Sequence, residues 1–279
     1  MHIKSAFLAS FALILAACSP RAVNATDTTA CVNSHQSEKN PNSFRLVSYN
    51  VGAFGKYANS SEKLIADMMA EFKTDAMILN EVDYYNNRHN TDQVANLAAF
   101  LGWDYMYAKA MDWNGGQYGN AAAWSKDLKL VDKFVIALPK HTGSEDRSCA
   151  VVEFEDFVLA GTHLEVSSEE DRLAGVEIIT NELKARYGKG NKPVFLCGDM
   201  NSEPSSAVIK AYLENWKQLT PNQNTIPSTG PNKCIDFFFG LKDVGSYEVL
   251  SAGVPSGINR RDLRDASDHL PVFVDVVIK

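Results

Sequence analysis

The sequence predicts an α/β fold in which two mixed β-sheets pack face to face and helices cover their outer surfaces. Short apolar runs typical of strands outnumber the amphipathic stretches typical of helices. Some successive strands are joined by short turns and others by a helix, so each sheet should contain antiparallel and parallel pairs. With 45% hydrophobic and 22% charged residues among 279, the composition is that of a globular chain with enough apolar material for a large core.

Ten strands are predicted from apolar or alternating runs bounded by glycine, proline or polar residues. They span residues 44–51, 75–82, 104–108, 120–124, 128–137, 150–154, 157–164, 194–197, 234–239 and 271–278. Four helices follow from apolar positions at helical spacing, over 60–72, 92–101, 169–187 and 205–214. Residues 111–119 are predicted to form a glycine-rich loop, and 155–156 to turn a hairpin.

The N-terminus is predicted to lie outside the fold. Lys4 is followed by an apolar stretch over 6–15 that is too short to span a bilayer. Leu15-Ala16-Ala17-Cys18 resembles a bacterial lipobox, which implies cleavage after residues 1–17 and lipid attachment at Cys18. The alternative is an ordinary signal peptide that contains a cysteine. Residues 18–42 are predicted to be a flexible tether and 43–279 a single domain, in an exported, membrane-anchored monomer of the cell envelope.

Net charge argues against one class of function. The formal net charge of -7 lacks the basic footprint of a protein that coats nucleic acid, but it leaves room for an enzyme that binds one phosphate locally. Cysteine spacing excludes a zinc site of the usual Cys-His pattern. Four cysteines remain besides Cys18, and they allow three disulfide pairings or buried free thiols: Cys31, Cys149, Cys197 and Cys234.

Polar and ionisable side chains recur in or at the ends of the predicted strands. They are Asn50, Glu81, His163, Asp199, Asn201, Asp236, Asp268 and His269. Each has an ordinary structural explanation, as a strand-end turn residue or a core histidine. Burying such a group without a partner costs roughly 2–7 kcal/mol, so the repeated pattern favours one shared site in which they satisfy each other. Asp199 and Asn201 lie two apart, which in an extended chain puts both side chains on one face.

The motifs that contain these residues follow one order along the chain: S-Y-N-V, L-N-E-V, Y-G-N-A, T-H-L, G-D-M-N, I-D-F-F-F and S-D-H-L-P-V. This order resembles the endonuclease/exonuclease/phosphatase superfamily, from about Arg45 to Val274. The resemblance implies a four-layer α/β sandwich like that of pancreatic deoxyribonuclease. It also implies hydrolysis of a phosphoester with a divalent cation, usually Mg²⁺, with Mn²⁺ or Ca²⁺ as alternatives.

The resemblance assigns roles to the matching positions. Glu81 is similar to the principal metal ligand, assisted by Asn50, and Asp268 to a further acidic ligand. His269 resembles the catalytic histidine, oriented by Asp236, while either His269 or Asp199 could be the general base. Asp199 and Asn201 resemble the residues that position the attacking water and the phosphoryl oxygens. His163 resembles the residue that donates a hydrogen bond to a phosphoryl oxygen. Tyr118 and Asn120 resemble residues of the loop that lines the site near the leaving group. A β-turn around Gly119 is the ordinary alternative for the last pair.

Three features bear on the substrate. Arg264 belongs to a basic cluster with Arg260 and Arg261 that suits phosphate, although a solvated loop explains it equally well. Trp113 could stack on a base or sugar or simply cover the core. Arg147 could approach a phosphate, but it is interpreted as a surface residue. The sequence favours a phosphodiesterase or nuclease acting on nucleic acid or a small phosphodiester. The alternatives are a phosphatase on small sugar or inositol phosphates, and a non-catalytic binding lipoprotein on the same fold.

Overall fold

The structure is a computed structural model that describes residues 38–57, 59–255, 258 and 260–279. The predicted signal peptide, the lipidation site at Cys18, Cys31 and most of the predicted tether lie outside these residues. In the described part, no helix is both long enough and apolar enough to cross a membrane.

The described residues form twelve strands and five α-helices. The strands are β1 (Phe44–Asn50), β2 (Ala76–Tyr84), β3 (Asp104–Trp113), β4 (Gly116–Trp124), β5 (Leu130–Leu138), β6 (Arg147–Phe154), β7 (Val158–His163), β8 (Val194–Asp199), β9 (Trp216–Gln218), β10 (Asp236–Leu241), β11 (Tyr247–Gly253) and β12 (Val272–Ile278). The helices are α1 (Glu62–Glu71), α2 (Gln93–Leu101), α3 (Glu169–Tyr187), α4 (Ala207–Asn215) and α5 (Arg260–Ala266).

The strands form two six-stranded mixed sheets, in the orders β11-β12-β1-β2-β4-β3 and β5-β6-β7-β8-β10-β9. Each sheet has a parallel pair at its centre, β1 with β2 and β7 with β8, and antiparallel strands around it. Helix α1 connects the first pair and α3 the second. Parallel strands end at the same edge of a sheet. Asn50 of β1 and Glu81 of β2 therefore lie toward one edge of the first sheet, and His163 of β7 and Asp199 of β8 lie at one edge of the second.

Side chains on the two faces of each sheet enter different cores. Leu46 of β1 and Phe195 of β8 pack in the core between the sheets. Their neighbours point outward, Val47 into the core under α1 and α2, and Leu196 into the core under α3 and α4. Burial on both faces explains why these strands read as continuous apolar runs in the sequence. The predicted four-layer sandwich of two mixed sheets flanked by helices is therefore confirmed.

A fully buried ion pair joins β1 to β12 at one end of the first sheet. Arg45 donates through Nε and Nη2 to the two carboxylate oxygens of Asp275, each at 2.8 Å. Its Nη1 donates to the Phe72 carbonyl at 2.6 Å, and its guanidinium lies 4.1 Å from the Phe72 ring centroid. Two aligned charge-assisted bonds compensate the burial of both charges. The contacts with Phe72 connect this pair to the residue that follows α1.

Removing one member of this pair should leave a buried charge without its main partner. Asp275→Ala is expected to lower the free energy of unfolding by about 3–5 kcal/mol in urea denaturation. Asp67→Ala is the control, because it removes an exposed pair with Lys63 on α1 and should cost at most about 0.5 kcal/mol. Equal losses in the two variants would contradict this interpretation of the Arg45–Asp275 pair.

The predicted loop over residues 111–119 is wrong. Strands β3 and β4 remain paired to their ends, where Trp113 is opposite Gly116. Asn114 and Gly115 make the two-residue turn, with φ of 50° and 82°. Both values suit a type I′ hairpin, for which Asn-Gly is the usual sequence. Trp113 therefore belongs to a strand, and its position follows from the hairpin.

Several other expectations are corrected. The basic segment, for which a solvated loop was one of two explanations, forms helix α5, and strands β9 and β11 were not predicted at all. Helix α1 starts at Glu62, with Ser61 in the N-cap position, but the Ser61 hydroxyl donates to the Ala266 carbonyl at 3.1 Å and makes no capping hydrogen bond. Predictions for α2 and α3 are confirmed, with Asp92 and Ser168 as the capping residues. Cys149, Cys197 and Cys234 are buried free thiols, as one of the sequence alternatives proposed.

Candidate active site

The carboxyl ends of the two central strand pairs meet in one polar cluster. Asn50 ends β1 and Glu81 lies in β2, while His163 and Asp199 end β7 and β8 as directly paired residues. Asn50 connects the two sheets, because its Nδ2 donates to Glu81 Oε1 and to Asp199 Oδ2, each at 3.0 Å. The sequence prediction that these residues share a site is supported by these contacts.

A bulge in β2 is what lets two successive residues reach this cluster. Side chains alternate between faces along a regular strand, so neighbours normally point apart. The register shifts between Leu79 and Val82, and Glu81 has a φ of 60°. Asn80 then accepts from the Asp199 backbone N–H at 3.1 Å, while Glu81 contacts Asn50. Strain of this kind at a non-glycine residue is typical of functional sites.

Asp199 is held at the centre of the cluster. It is 2% exposed, and its Oδ1 accepts from the Asn201 backbone N–H at 2.8 Å. Burial, followed by the nearby Asp236 carboxylate, raises the pKa of Asp199. Gly198 precedes it with a φ of 140°, and a Cβ there would lie 1.8 Å from the Thr162 carbonyl oxygen. Glycine is therefore required for β7 and β8 to approach at this point.

His269 and Asp236 form a buried hydrogen-bonded pair beside Asp199. His269 Nδ1 lies 2.9 Å from Asp236 Oδ2, and its Nε2 lies 3.6 Å from Asp199 Oδ2. The hydroxyl of Thr225 donates to Asp236 Oδ2 as well, which orients the carboxylate. Burial by itself would lower the pKa of His269, but the charge and hydrogen bond of Asp236 outweigh it and raise the pKa.

His163 is the second histidine beside Asp199. Its Nε2 is 3.6 Å from Asp199 Oδ2 and 2.9 Å from Asn201 Nδ2, and its Nδ1 is 3.2 Å from Arg147 Nη1. Burial and then the Arg147 charge lower the pKa of His163 well below its usual range, so the ring is neutral. The cluster thus contains two histidines of opposite character beside one carboxylate.

Asn201 does not reach the cluster by the geometry that the sequence predicted. The extended chain assumed for Asp199 and Asn201 is wrong, since Asn201 has a φ of 46° in a turn after β8. The turn itself directs the amide to His163, and Nδ2 also donates to the Leu164 carbonyl at 2.9 Å. Both residues are still brought together, but by the turn and not by strand alternation.

The other predicted ligand and contact residues lie around the cluster. Asp268 Oδ2 is 3.0 Å from Lys56 Nζ, so its charge is already paired with a cation. Tyr118 is 9% exposed and its ring centroid lies 6.3 Å from that of Trp113. The Arg88 guanidinium carbon lies 4.4 Å from the Trp113 ring centroid. These positions at the edge of the cluster agree with a contact role for Tyr118 and Trp113, which stays a prediction.

Two of the predicted contact residues lie farther from the centre. Asn120 is 1% exposed, accepts from Asn80 Nδ2 at 2.9 Å and donates to the Ser148 carbonyl at 2.8 Å. With both amide groups engaged, it supports Asn80 from behind the cluster. Arg264 is exposed on α5 and lines a cleft of about 260 Å³ together with Leu270, the residue after His269. The roles assigned to these two residues stay predictions.

Sequence reasoning missed three residues of the site. Asn80 stands inside the motif L-N-E-V, but its side chain was not assigned, and Thr225 lies outside the motifs. Arg147 was interpreted as a surface residue, and this is wrong, since it is 6% exposed and contacts His163. The available signal was that Arg147 lies next to an apolar strand. An arginine that is buried there needs a partner, because arginine is rarely buried unpaired.

The donor set suits a hard divalent cation. Among the described residues, Asp199, Asp236 and His269 form a group whose ligand atoms lie within 4.8 Å of one another. Asn50 links this group to Glu81 by its two 3.0 Å hydrogen bonds. Carboxylate and amide oxygens are the ligands that Mg²⁺ and Ca²⁺ prefer. The residues present therefore fit a metal site, whether at Glu81 and Asn50 or shared with Asp199.

The profile of the endonuclease/exonuclease/phosphatase family matches residues 47–269, which include every predicted strand-end residue of this cluster. The chain belongs to the endonuclease/exonuclease/phosphatase family. No curated protein matches it by sequence. Members of this family hydrolyse phosphoesters and usually use a divalent metal, which agrees with the acidic and histidine groups described above.

Solved structures of family members share this fold. The mannosyl-6-phosphatase of Bacteroides thetaiotaomicron has a TM-score of 0.70 at 19% identity, covering 84% of this chain and 100% of that one. The Bacteroides vulgatus endonuclease/exonuclease/phosphatase has a TM-score of 0.69 at 18% identity, covering 85% and 99%. The human Nocturnin catalytic domain with bound sulfate has a TM-score of 0.66 at 23% identity, covering 85% and 94%.

Proposed function

We propose that the protein is a divalent-metal-dependent phosphoester hydrolase of phosphodiesterase or nuclease type. The observation that carries this proposal is the buried Asp199 carboxylate with two histidines beside one oxygen, His163 Nε2 and His269 Nε2 each 3.6 Å from Oδ2. One carboxylate beside a neutral and a cationic imidazole can hold a water, move its proton and stabilise phosphoryl charge at the same point.

The residues of the cluster divide this chemistry. Asp199 and Asn201 position the attacking water, whose proton passes to the adjacent pair of Asp199 and His269. Asp236 holds His269 Nδ1, so that Nε2 faces Asp199. His163 donates a hydrogen bond to a phosphoryl oxygen as negative charge develops there. Tyr118 and Trp113, at the edge of the cluster, contact the leaving group.

Glu81 and Asn50 are the residues proposed to hold the cation, with Mg²⁺ as the ion that oxygen ligands favour. The ion, when bound, offsets phosphoryl charge and polarises the phosphorus–oxygen bonds. Asp268 is the third proposed ligand, although its carboxylate is paired with Lys56 in this structure. That pairing makes Glu81 the principal ligand in this proposal.

Three cations lie around the site, and each is already paired with a carboxylate: Lys56 with Asp268, Arg88 with Asp83 and Arg147 with Glu145. The net charge of the chain is -7. A long polyanion needs several unpaired cations along its backbone, so paired cations in an acidic protein favour a small anionic substrate. This supports recognition of one phosphate and its immediate surroundings, as in a short or small phosphodiester.

The test compares three substrates with Mg²⁺ and with EDTA: plasmid DNA, a chromogenic phosphodiester and a chromogenic phosphomonoester. EDTA-sensitive cleavage of either diester supports the proposal. Salt dependence then distinguishes a nuclease from an enzyme for small phosphodiesters. Cleavage of DNA that depends on several phosphate contacts should weaken steeply with salt. Absence of turnover on all three, with correctly folded protein, would favour the non-catalytic binding lipoprotein.

A phosphatase acting on small sugar or inositol phosphates is the second candidate. One observation favours it: the likeness to the mannosyl-6-phosphatase extends over 100% of that chain and 84% of this one. Exclusive, EDTA-sensitive turnover of the monoester would replace the diesterase proposal by this one.

We also propose that the protein is exported to the cell envelope and anchored by lipid at Cys18. Cys18→Ala should move the protein from the membrane fraction to the soluble fraction, because one acylated cysteine supplies the membrane attachment. Cys149→Ala is the control, since Cys149 is a buried free thiol and its loss should leave fractionation unchanged. Continued membrane association of Cys18→Ala would rule out this anchor.

A further inference from the structure

Arg147 makes an unusual contact for an arginine, with a histidine ring nitrogen inside the protein. Its Nη1 lies 3.2 Å from His163 Nδ1, and its Nη2 lies 2.7 Å from Glu145. The Arg147 side chain is 5% exposed and Glu145 is 33% exposed, so the contact with His163 is the one that is shielded from water. A charge-assisted bond in such a place is strong and directional.

The contact determines which nitrogen of His163 carries the proton. A guanidinium has only donors and does not deprotonate, so Nδ1 must be the acceptor. The neutral imidazole has one N–H, which must then be on Nε2. That nitrogen is 3.6 Å from Asp199 Oδ2, on the side of the ring where the proposed phosphoryl group binds.

Asn201 competes for the same ring. Its Nδ2 lies 2.9 Å from His163 Nε2 and would require that nitrogen to accept. A neutral ring accepts at one nitrogen only. The competition favours Arg147, because its donor is charged. The Asn201 amide then presents its oxygen to the Nε2–H, since two N–H groups do not face each other at 2.9 Å. In that orientation the amide gives up its bond to the Leu164 carbonyl.

The segment before Arg147 is hydrogen-bonded to two acidic residues, Glu165 in the loop before α3 and Asp171 in the first turn of α3. Asp171 accepts from the backbone N–H of Gly143 at 2.8 Å, and Glu165 from that of Ser144 at 3.1 Å. Ion pairing with Glu145 then fixes the guanidinium. Arg147 is therefore prepositioned before any substrate arrives, which is what a positioning residue requires.

We propose that Arg147 is a positioning residue that fixes the Nε2–H tautomer of His163, so that this histidine presents a hydrogen-bond donor beside Asp199. Arg147 acts through His163 and does not itself contact the substrate. The catalytic consequence rests on the function proposed above, whereas the tautomer is a property of the protein alone. The two can therefore be tested separately.

The tautomer is measured by NMR on the purified full chain labelled with ¹⁵N-histidine, with His163→Gln identifying the signal. Wild-type protein should show a protonated Nε2 and an unprotonated Nδ1 at His163. Arg147→Met, which removes the donors but keeps an extended side chain, should shift the ring toward the Nδ1–H form. Arg186→Met is the control on α3, far along the helix from the site. A wild-type signal with the proton on Nδ1 would overturn the proposal without any variant.

Kinetics separate positioning from direct substrate binding. Arg147→Met should lower kcat by at least about 10-fold, and by no more than the roughly 10²–10³-fold expected when the His163 donor is lost altogether. KM should be nearly unchanged. In a His163→Ala background the same substitution should have no further effect. Arg147→Lys should retain part of the activity, since an ammonium also only donates. If Arg147→Met lowers kcat as much in the His163→Ala background as in the wild-type protein, Arg147 binds substrate directly and the proposal is refuted.

Discussion

His269→Ala is expected to lower kcat by at least about 10²–10⁴-fold while the protein stays folded. His269 Nε2 is 3.6 Å from Asp199 Oδ2, and its Nδ1 is held by Asp236 at 2.9 Å. Alanine removes the imidazole that shares the water's proton, and also the positive charge that acts to lower the pKa of Asp199. The reaction then loses proton transfer and electrostatic stabilisation together.

The measurement is kcat with the best substrate of the three compared, under saturating Mg²⁺. His141→Ala is the matched control, because His141 is exposed and its contact with Asp171 is made by the backbone N–H at 3.0 Å. Thermal unfolding of both variants establishes that the comparison is between folded proteins. Near wild-type turnover in folded His269→Ala would exclude His269 from catalysis.

Glu81→Gln is expected to weaken binding of the divalent cation by at least about 10–100-fold and to lower turnover at limiting Mg²⁺. Glutamine keeps the size of the side chain, but it replaces a charged ligand oxygen by a neutral amide. The 3.0 Å contact with Asn50 Nδ2 can still form through the amide oxygen, so the polar cluster should persist. The loss should therefore appear in metal affinity before it appears in stability.

Isothermal titration calorimetry with Mg²⁺ measures this affinity in the absence of substrate. Glu71→Gln provides the control, because Glu71 is exposed at the end of α1. This substitution removes the same charge from the chain as Glu81→Gln does. Unchanged Mg²⁺ affinity in Glu81→Gln would move the metal site to Asp199, Asp236 and His269, whose ligand atoms also lie within 4.8 Å of one another.

Local sequence was sufficient for the strands that are buried on both faces. Residues 194–197 are apolar because β8 packs into one core through Phe195 and another through Leu196. Helices with a clear cap and a terminal glycine, such as α2 between Asp92 and Gly102, were likewise predicted correctly. Strand β11 was missed because its exposure is mixed, so it lacks a continuous apolar run.

The identity of most site residues could also be inferred from sequence, because a polar side chain at the end of an apolar strand needs a partner. Their pairing could not. Asn80 and Glu81 both reach the cluster only through the bulge in β2, and periodicity alone would send them to opposite faces. Arg147 was misjudged because its partner, His163, is brought next to it by the β6–β7 pairing.

The sequence by itself determined the fold class, the order of the strand-end motifs and the residue types that serve phosphoester chemistry. These follow from local rules of burial, periodicity and turn formation. Only the tertiary structure decided that Asn50 bridges the two sheets, that Asp268 is paired with Lys56, and that Arg147 contacts His163. Such contacts depend on register and on where strands bend, which are properties of the packed chain and not of any one segment.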